Sequence, residues 1–113
     1  MLPKENRLKK EKEFRRVGAG RSRFRGIGLL VAYGIRGEGP AKIGIVVSKK
    51  TARQAVARNR IRRVLREIAR QELPRLKPGV DIVVIALPEF NAEDFTKAQK
   101  EVQKLFIKAS LFQ

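Results

Sequence analysis

Apolar and polar positions follow two different rhythms along this chain. From Ile27 to Ile35 they alternate, with Leu29, Val31 and Tyr33 on one face and Leu30, Ala32 and Gly34 on the other, the period of two that marks a strand. Ala41 to Ser48 repeats the pattern, setting Ile43, Ile45 and Val47 against Gly44, Val46 and Ser48. A glycine inside a strand marks close backbone approach, and Gly44 is expected to leave open floor for a ligand. Arg36-Gly37-Glu38-Gly39-Pro40 between the two runs has the composition of a hairpin turn. Val80 to Leu87 is almost continuously apolar, as in a strand covered on both faces.

Elsewhere the period is helical. Ala57, Ile61, Val64, Leu65 and Ile68 fall on one side of a helix, the stripe of an element packed on a core. Phe95, Ala98, Val102, Leu105, Phe106 and Ala109 make a second stripe, with Asn91 the expected N-cap and Glu93 and Asp94 in the first turn. Leu8, Phe14 and Val17 form the apolar side of a short first helix, which Gly18-Ala19-Gly20 ends. Arg21 to Gly26 is a basic edge strand holding Phe24, and Leu73 to Gly79, with two prolines, is a break. Strand, helix and strand in succession predict a βαβ unit with a parallel pair. The fold class is α/β in two layers, in the order α-β-β-β-α-β-α, as a single domain over 1–113. Residues 1–8 read as a basic arm with freedom to move.

Charge narrows the function. Lys+Arg is 27 against Asp+Glu 11 in 113 residues, a formal charge of +16. Repulsion on that scale opposes a compact state unless a polyanion is near. No apolar run approaches the roughly 18 residues that span a bilayer, and no signal-peptide pattern opens the chain, so a cytoplasmic protein is expected. Cysteine and histidine are both absent, which removes thiolate chemistry and the commonest general base and metal ligand. A binder is expected, with no catalytic residue and no metal site of its own.

The polyanion-binding element is the second helix. Seven arginines lie between residues 53 and 70, offset only by Glu67. Opposite its apolar stripe project Asn59, Arg62, Arg63, Arg66 and Arg70, with Arg58 and Arg60 at the margins. Guanidinium groups stay charged and fork two donors onto phosphate. An ordinary solvated face would avoid like charges at i,i+4, each costing about 0.2–0.5 kcal/mol. This helix carries three such pairs, Arg58/Arg62, Arg62/Arg66 and Arg66/Arg70. Just upstream, Ser48-Lys49-Lys50 with Arg53 sits between a strand end and a helix start, a place suited to phosphate.

The wording Val47-Ser48-Lys49-Lys50, then Ala55-Val56-Ala57-Arg58-Asn59-Arg60-Ile61-Arg62-Arg63-Val64-Leu65-Arg66-Glu67, resembles the signature of the bacterial ribonuclease P protein family. The resemblance extends to Asn6-Arg7-Leu8-Lys9-Lys10 with Phe14, to the strand Asp81-Ile82-Val83-Val84-Ile85-Ala86 and to the closing amphipathic helix. It implies a ribosomal protein S5 domain 2-like sandwich whose βαβ crossover is left-handed, where chirality alone gives a right-handed one in about 98% of cases.

The resemblance also implies the function. The family's holoenzyme is an endoribonuclease that removes the 5′ leader of precursor tRNA. Catalysis lies in its RNA subunit, where Mg2+ is bound mainly by RNA. Arg58, Asn59, Arg60, Arg62, Arg63, Arg66 and Arg70 are then expected to face the catalytic RNA. Phe14, Tyr33, Ser48, Lys49, Lys50 and Arg53 are expected to meet the leader and its phosphates, in a groove where aromatic rings stack on unpaired bases. The chain departs from the family's pattern at three places. Gly18 stands near the position of a second helix aromatic, for which Phe24 is a candidate substitute. Ile85-Ala86-Leu87-Pro88 lacks a basic residue, and Thr51-Ala52-Arg53-Gln54 replaces a shorter loop with glycine. A structural ribosomal RNA-binding protein would share the charge, size and layering but has no use for an open groove. A DNA-reading module lacks a preceding helix at helix-turn-helix spacing, and a membrane-surface helix has no apolar face to spare once the sheet is covered.

Overall fold

The computed structural model describes residues 2–19 and 22–113. Met1, Gly20 and Arg21, on which the starts or ends of the arm, the first helix stop and the edge strand were placed, lie outside the described residues. A 3-10 turn at Lys4–Asn6 precedes α1 (Glu11–Ala19), β1 (Arg23–Arg25), β2 (Leu29–Ile35), β3 (Lys42–Val47), α2 (Ala55–Glu72), a second 3-10 turn at Leu73–Arg75, β4 (Val80–Ala86) and α3 (Phe95–Lys108). The expected element order is the observed one. The sheet runs β1-β2-β4-β3. Its β3 and β4 are parallel neighbours joined through α2, and the other pairs are antiparallel.

Strand parity sorts the core. Leu29, Val31, Ile43, Val47, Ile82 and Val84 point to one face, where Ile61, Leu65 and Ile68 of α2 and Val102, Leu105 and Phe106 of α3 close over them. That pairing of sheet and helices is the two-layer body. The other face carries Ala32 and Val83, covered by Leu8, Phe14 and Val17 of the N-terminal segment. Two buried acids tie separate elements together. Glu72 accepts from Gln99, Gln103 and Arg75, joining α2 to α3. Asp81 pairs with Arg36 and with Arg16 of α1 at 3.4 Å. The turn at 36–40 is not the expected hairpin: β4 lies between β2 and β3, so the turn carries the chain past β4 to the sheet edge.

Three further expectations are corrected. Gly44 is not open floor: a Cβ there would lie 2.3 Å from Cε1 of Phe14 and 3.2 Å from Cβ of Leu8, so the missing side chain is the seat of the Phe14 ring. The N-cap of α3 is Asp94, whose carboxylate accepts from the Lys97 N–H at 3.1 Å. Asn91 instead accepts from the Glu93 N–H, closing a local turn that competes with helix initiation. The arm lies along the free edge of β3. Leu2 is buried in the main core, Asn6 Nδ2 donates to the Ala41 carbonyl at 2.8 Å, and the Leu8 N–H donates to Ile43 at 3.1 Å. One leucine and a few edge hydrogen bonds hold down what composition presents as a polar tail.

Candidate nucleic-acid interface

α2 buries Ile61, Leu65, Ile68 and Ala69 and turns its arginines outward. Its N-terminus has no side-chain cap and no acid in the first turn, so its free N–H groups and its dipole both favour an anion. The arginines differ in what they already hold. Arg63 and Arg66 are exposed and have no protein partner among the described residues. Arg62 donates to Asn59 Oδ1 at 2.9 Å, so arginine and amide present one joined polar group. Arg60 pairs with Glu93 at 2.7 Å, both well exposed; such a pair is worth little in water and yields readily to phosphate.

Arg70 is engaged by Glu67, its Nε donating to Oε2 at 3.0 Å. That hydrogen bond, helped by one from Gln71, holds the Glu67 carboxyl down to about 2 from 4.5, and Glu67 in turn raises Arg70. A depressed carboxyl favours the fold above its unfolded pKa and loses that contribution as pH falls through its folded one. The Glu67 contribution is therefore constant near neutrality and disappears between about pH 4.5 and 2. Carboxyl-carbon NMR should place the Glu67 midpoint near 2, moving toward 4.5 in Arg70→Ala; a midpoint that stays put in the variant would refute the pairing.

Arg58 is half-buried and turned back. One nitrogen, Nη1, donates to the carbonyls of Ala52 and Arg53 at 3.0 and 2.7 Å, bracing the loop before the helix. The same loop is tied to β4 by Thr51 Oγ1 donating to Ala86 at 2.8 Å, and closes on itself where Thr51 and Ala52 donate to the Ser48 carbonyl. Ser48, Lys49, Lys50 and Arg53 stand exposed on this fixed loop. The absence of glycine is thus accommodated by a Ser48 turn with an arginine brace. Arg58→Gln removes the charge and the bonds to both carbonyls; it should lower stability by about 1 kcal/mol in urea melts while the salt dependence of RNA binding is unchanged. A reduced salt slope would make Arg58 a phosphate ligand instead.

The aromatic residues do not come together. Phe14 lies on the α1 face of the sheet, whereas Tyr33 packs with the α2 and α3 core and stacks on Phe24, ring centres 6.4 Å apart at 11°. Phe24 is therefore on the wrong face to replace a second helix aromatic. The α1 face has its own opening. Leu30 of β2, Ile85 of β4 and Val46 of β3 sit side by side in register, half-buried because α1 covers only the neighbouring row of Ala32, Val83 and Gly44. The floor is aliphatic, with Phe14 at one side and the Ser48–Arg53 loop at the strand ends. Sequence reading did not single out these three residues, although their parity and lack of a covering helix were the available signals. Among the described residues no group of acids is placed to hold a metal ion.

Comparison with known proteins gives a consistent result. Residues 2–110 match the family model described as Ribonuclease P. The ribonuclease P protein component of a Picosynechococcus species is 35% identical over 111 residues, covering 98% of this chain and 96% of the relative. That of Dictyoglomus turgidum is 36% identical over 112 residues, covering 97% and 93%. Among solved structures, the RNase P protein of Staphylococcus aureus superposes with a TM-score of 0.84 at 27% identity, covering 97% of this chain and all of the other. The Thermotoga maritima protein gives 0.79 at 26% identity, covering 90% and 96%.

Proposed function

The chain belongs to the ribonuclease P protein family, and from that membership we propose how its surface is divided: α2 binds the catalytic RNA, and the open α1 face takes the 5′ leader of precursor tRNA. The protein is a component of an endoribonuclease whose hydrolysis is carried out in the RNA subunit, where Mg2+ supplies the Lewis-acid chemistry. The observation that carries the division is the pair Arg63 and Arg66, exposed on a helix of like charge without a protein partner. Helices do not hold such groups for stability. The match to ribonuclease P along nearly the whole chain decides against a ribosomal protein.

The work of the chain is electrostatic and geometric. Guanidinium groups on α2 neutralise backbone phosphates and release counterions. Lys49, Lys50 and Arg53, held by the Arg58 and Thr51 bonds, meet phosphates of the leader as it leaves the sheet. The aliphatic row of Leu30, Ile85 and Val46 accepts unpaired bases without reading them, and Phe14 offers one ring edge or face. Tyr33 takes no part in this groove. Binding the leader gives precursor an advantage over mature tRNA, which has none. No described helix is long and apolar enough to cross a membrane; membership of the family supports a cytoplasmic site of action.

Reconstitution tests the proposal. Added to a bacterial ribonuclease P RNA at low Mg2+, the protein should raise cleavage of precursor tRNA by roughly tenfold or more, with an effect that weakens steeply as salt rises. It should also bind precursor tRNA more tightly as the leader lengthens from one to several nucleotides. Absence of stimulation would overturn the function; stimulation without leader dependence would overturn the role of the α1 face.

A further inference from the structure

We propose that the groove between the arm and the start of α1 is a second phosphate-binding surface, which takes the backbone of the catalytic RNA where the arginine helix does not reach. The inference rests on the reading that this chain binds that RNA. The groove is a depression of about 690 Å³ bordered by Lys4, Arg7, Lys9, Lys10 and Lys42. Two acids share it, Glu5 and Glu13. Glu13 is already used: its carboxylate accepts from the N–H groups of Lys10 and Lys9 at 3.2 and 3.4 Å and lies 3.8 Å from the Lys42 ammonium. The Lys10 N–H, chiefly, holds that carboxyl below its ordinary range, so it acts as an ionised helix cap. Lys4, Lys9 and Lys10 are exposed, and their side chains have no protein partner among the described residues.

A loose tail would offer the same charges without a shape. Here Leu2 is buried, Asn6 and Leu8 are bonded to the edge of β3, and Arg7 Nε donates to the Leu2 carbonyl at 2.9 Å. The cations are thus set in place before any ligand arrives, which lowers the ordering cost of binding. Lysines contact phosphate as point charges and read no bases, so the expected ligand is a backbone.

Position selects which RNA. Lys42 opens β3, and the Ser48 loop follows its far end, roughly 20 Å away at strand rise. The open floor for the leader lies toward the Ser48 end, and the Phe14 ring on Gly44 stands between it and the groove. The groove instead flanks β3, the strand against which α2 packs, so the two cationic surfaces lie on either side of one edge strand.

The test compares Lys4→Ala/Lys9→Ala/Lys10→Ala with an equal-charge control, Lys77→Ala/Lys104→Ala/Lys108→Ala, in binding to an isolated bacterial ribonuclease P RNA across a salt series. The log–log slope of the arm variant should become shallower by about 2–3, at close to 0.9 per lost contact, with the melting temperature and the leader-length dependence of precursor binding both retained. The control should change the slope by less than one. An unchanged slope, or an equal effect in the control, overturns the groove as a site. A defect that grows with leader length assigns it to the leader instead and overturns the proposed partner. If the unmodified protein fails to bind the RNA at all, the underlying reading fails, which is a separate result.

Discussion

Replacing Arg62, Arg63 and Arg66 together with alanine should weaken binding to the catalytic RNA by roughly a hundredfold to a thousandfold at low salt, each charge-assisted contact to phosphate contributing about 1.5 kcal/mol or somewhat less when exposed. The salt slope should become shallower by about 2.7, so that between 50 and 200 mM salt the parent protein loses about 40-fold more affinity than the variant. Stability should move the other way. The three i,i+4 repulsions along the helix all include Arg62 or Arg66, and removing them recovers a few tenths of a kcal/mol each, while alanine is the best helix former. Thermal melts should therefore show an equal or higher melting temperature alongside the loss of affinity. A variant that binds normally, or that melts well below the parent, would show that these side chains serve the fold.

Gly44→Val should be the most damaging single change to the leader surface. Its branched carbons would enter the space held by Phe14, whose Cε1 and Cζ already stand 2.3 and 2.4 Å from an added Cβ. The ring must leave, and with it the packing of α1 on Ala32 and Val83, at about 2–4 kcal/mol. Urea denaturation should also show strong coupling in a double-mutant cycle: in a Phe14→Ala background the same change at 44 should cost much less. Leader-length dependence should flatten, whereas affinity for the catalytic RNA should fall far less, because the arginines of α2 lie across the opposite face of the sheet. Equal loss of both activities would mean that the whole domain had failed.

Much of this molecule is legible from one-dimensional periodicity. The alternation in Leu29 to Ile35 and in Lys42 to Val47 correctly divided the two sheet faces, because side chains of a strand have nowhere else to point. The spacing of Ile61, Leu65 and Ile68 oriented α2, since burial of that stripe necessarily turns Arg63 and Arg66 to solvent. Charge and the lack of histidine and cysteine pointed to a polyanion binder without reference to shape.

Relations across the fold were not available in that way. Parity places Tyr33 with Leu29 and Val31 but does not say which face α1 covers, so Phe14 and Tyr33 were assigned to one groove and are found on opposite sides. Gly44 looks open until a ring from a helix 30 residues earlier fills it, and Arg58 looks like its neighbours until its guanidinium finds two loop carbonyls. The arm resembles a free tail because a single buried leucine and a few edge hydrogen bonds leave little trace in composition. The sequence by itself determined which residues share a face and which face must carry charge, through local geometry and the cost of burying ions. Only the tertiary structure decided what stands opposite each face, since that depends on contacts between segments far apart in the chain.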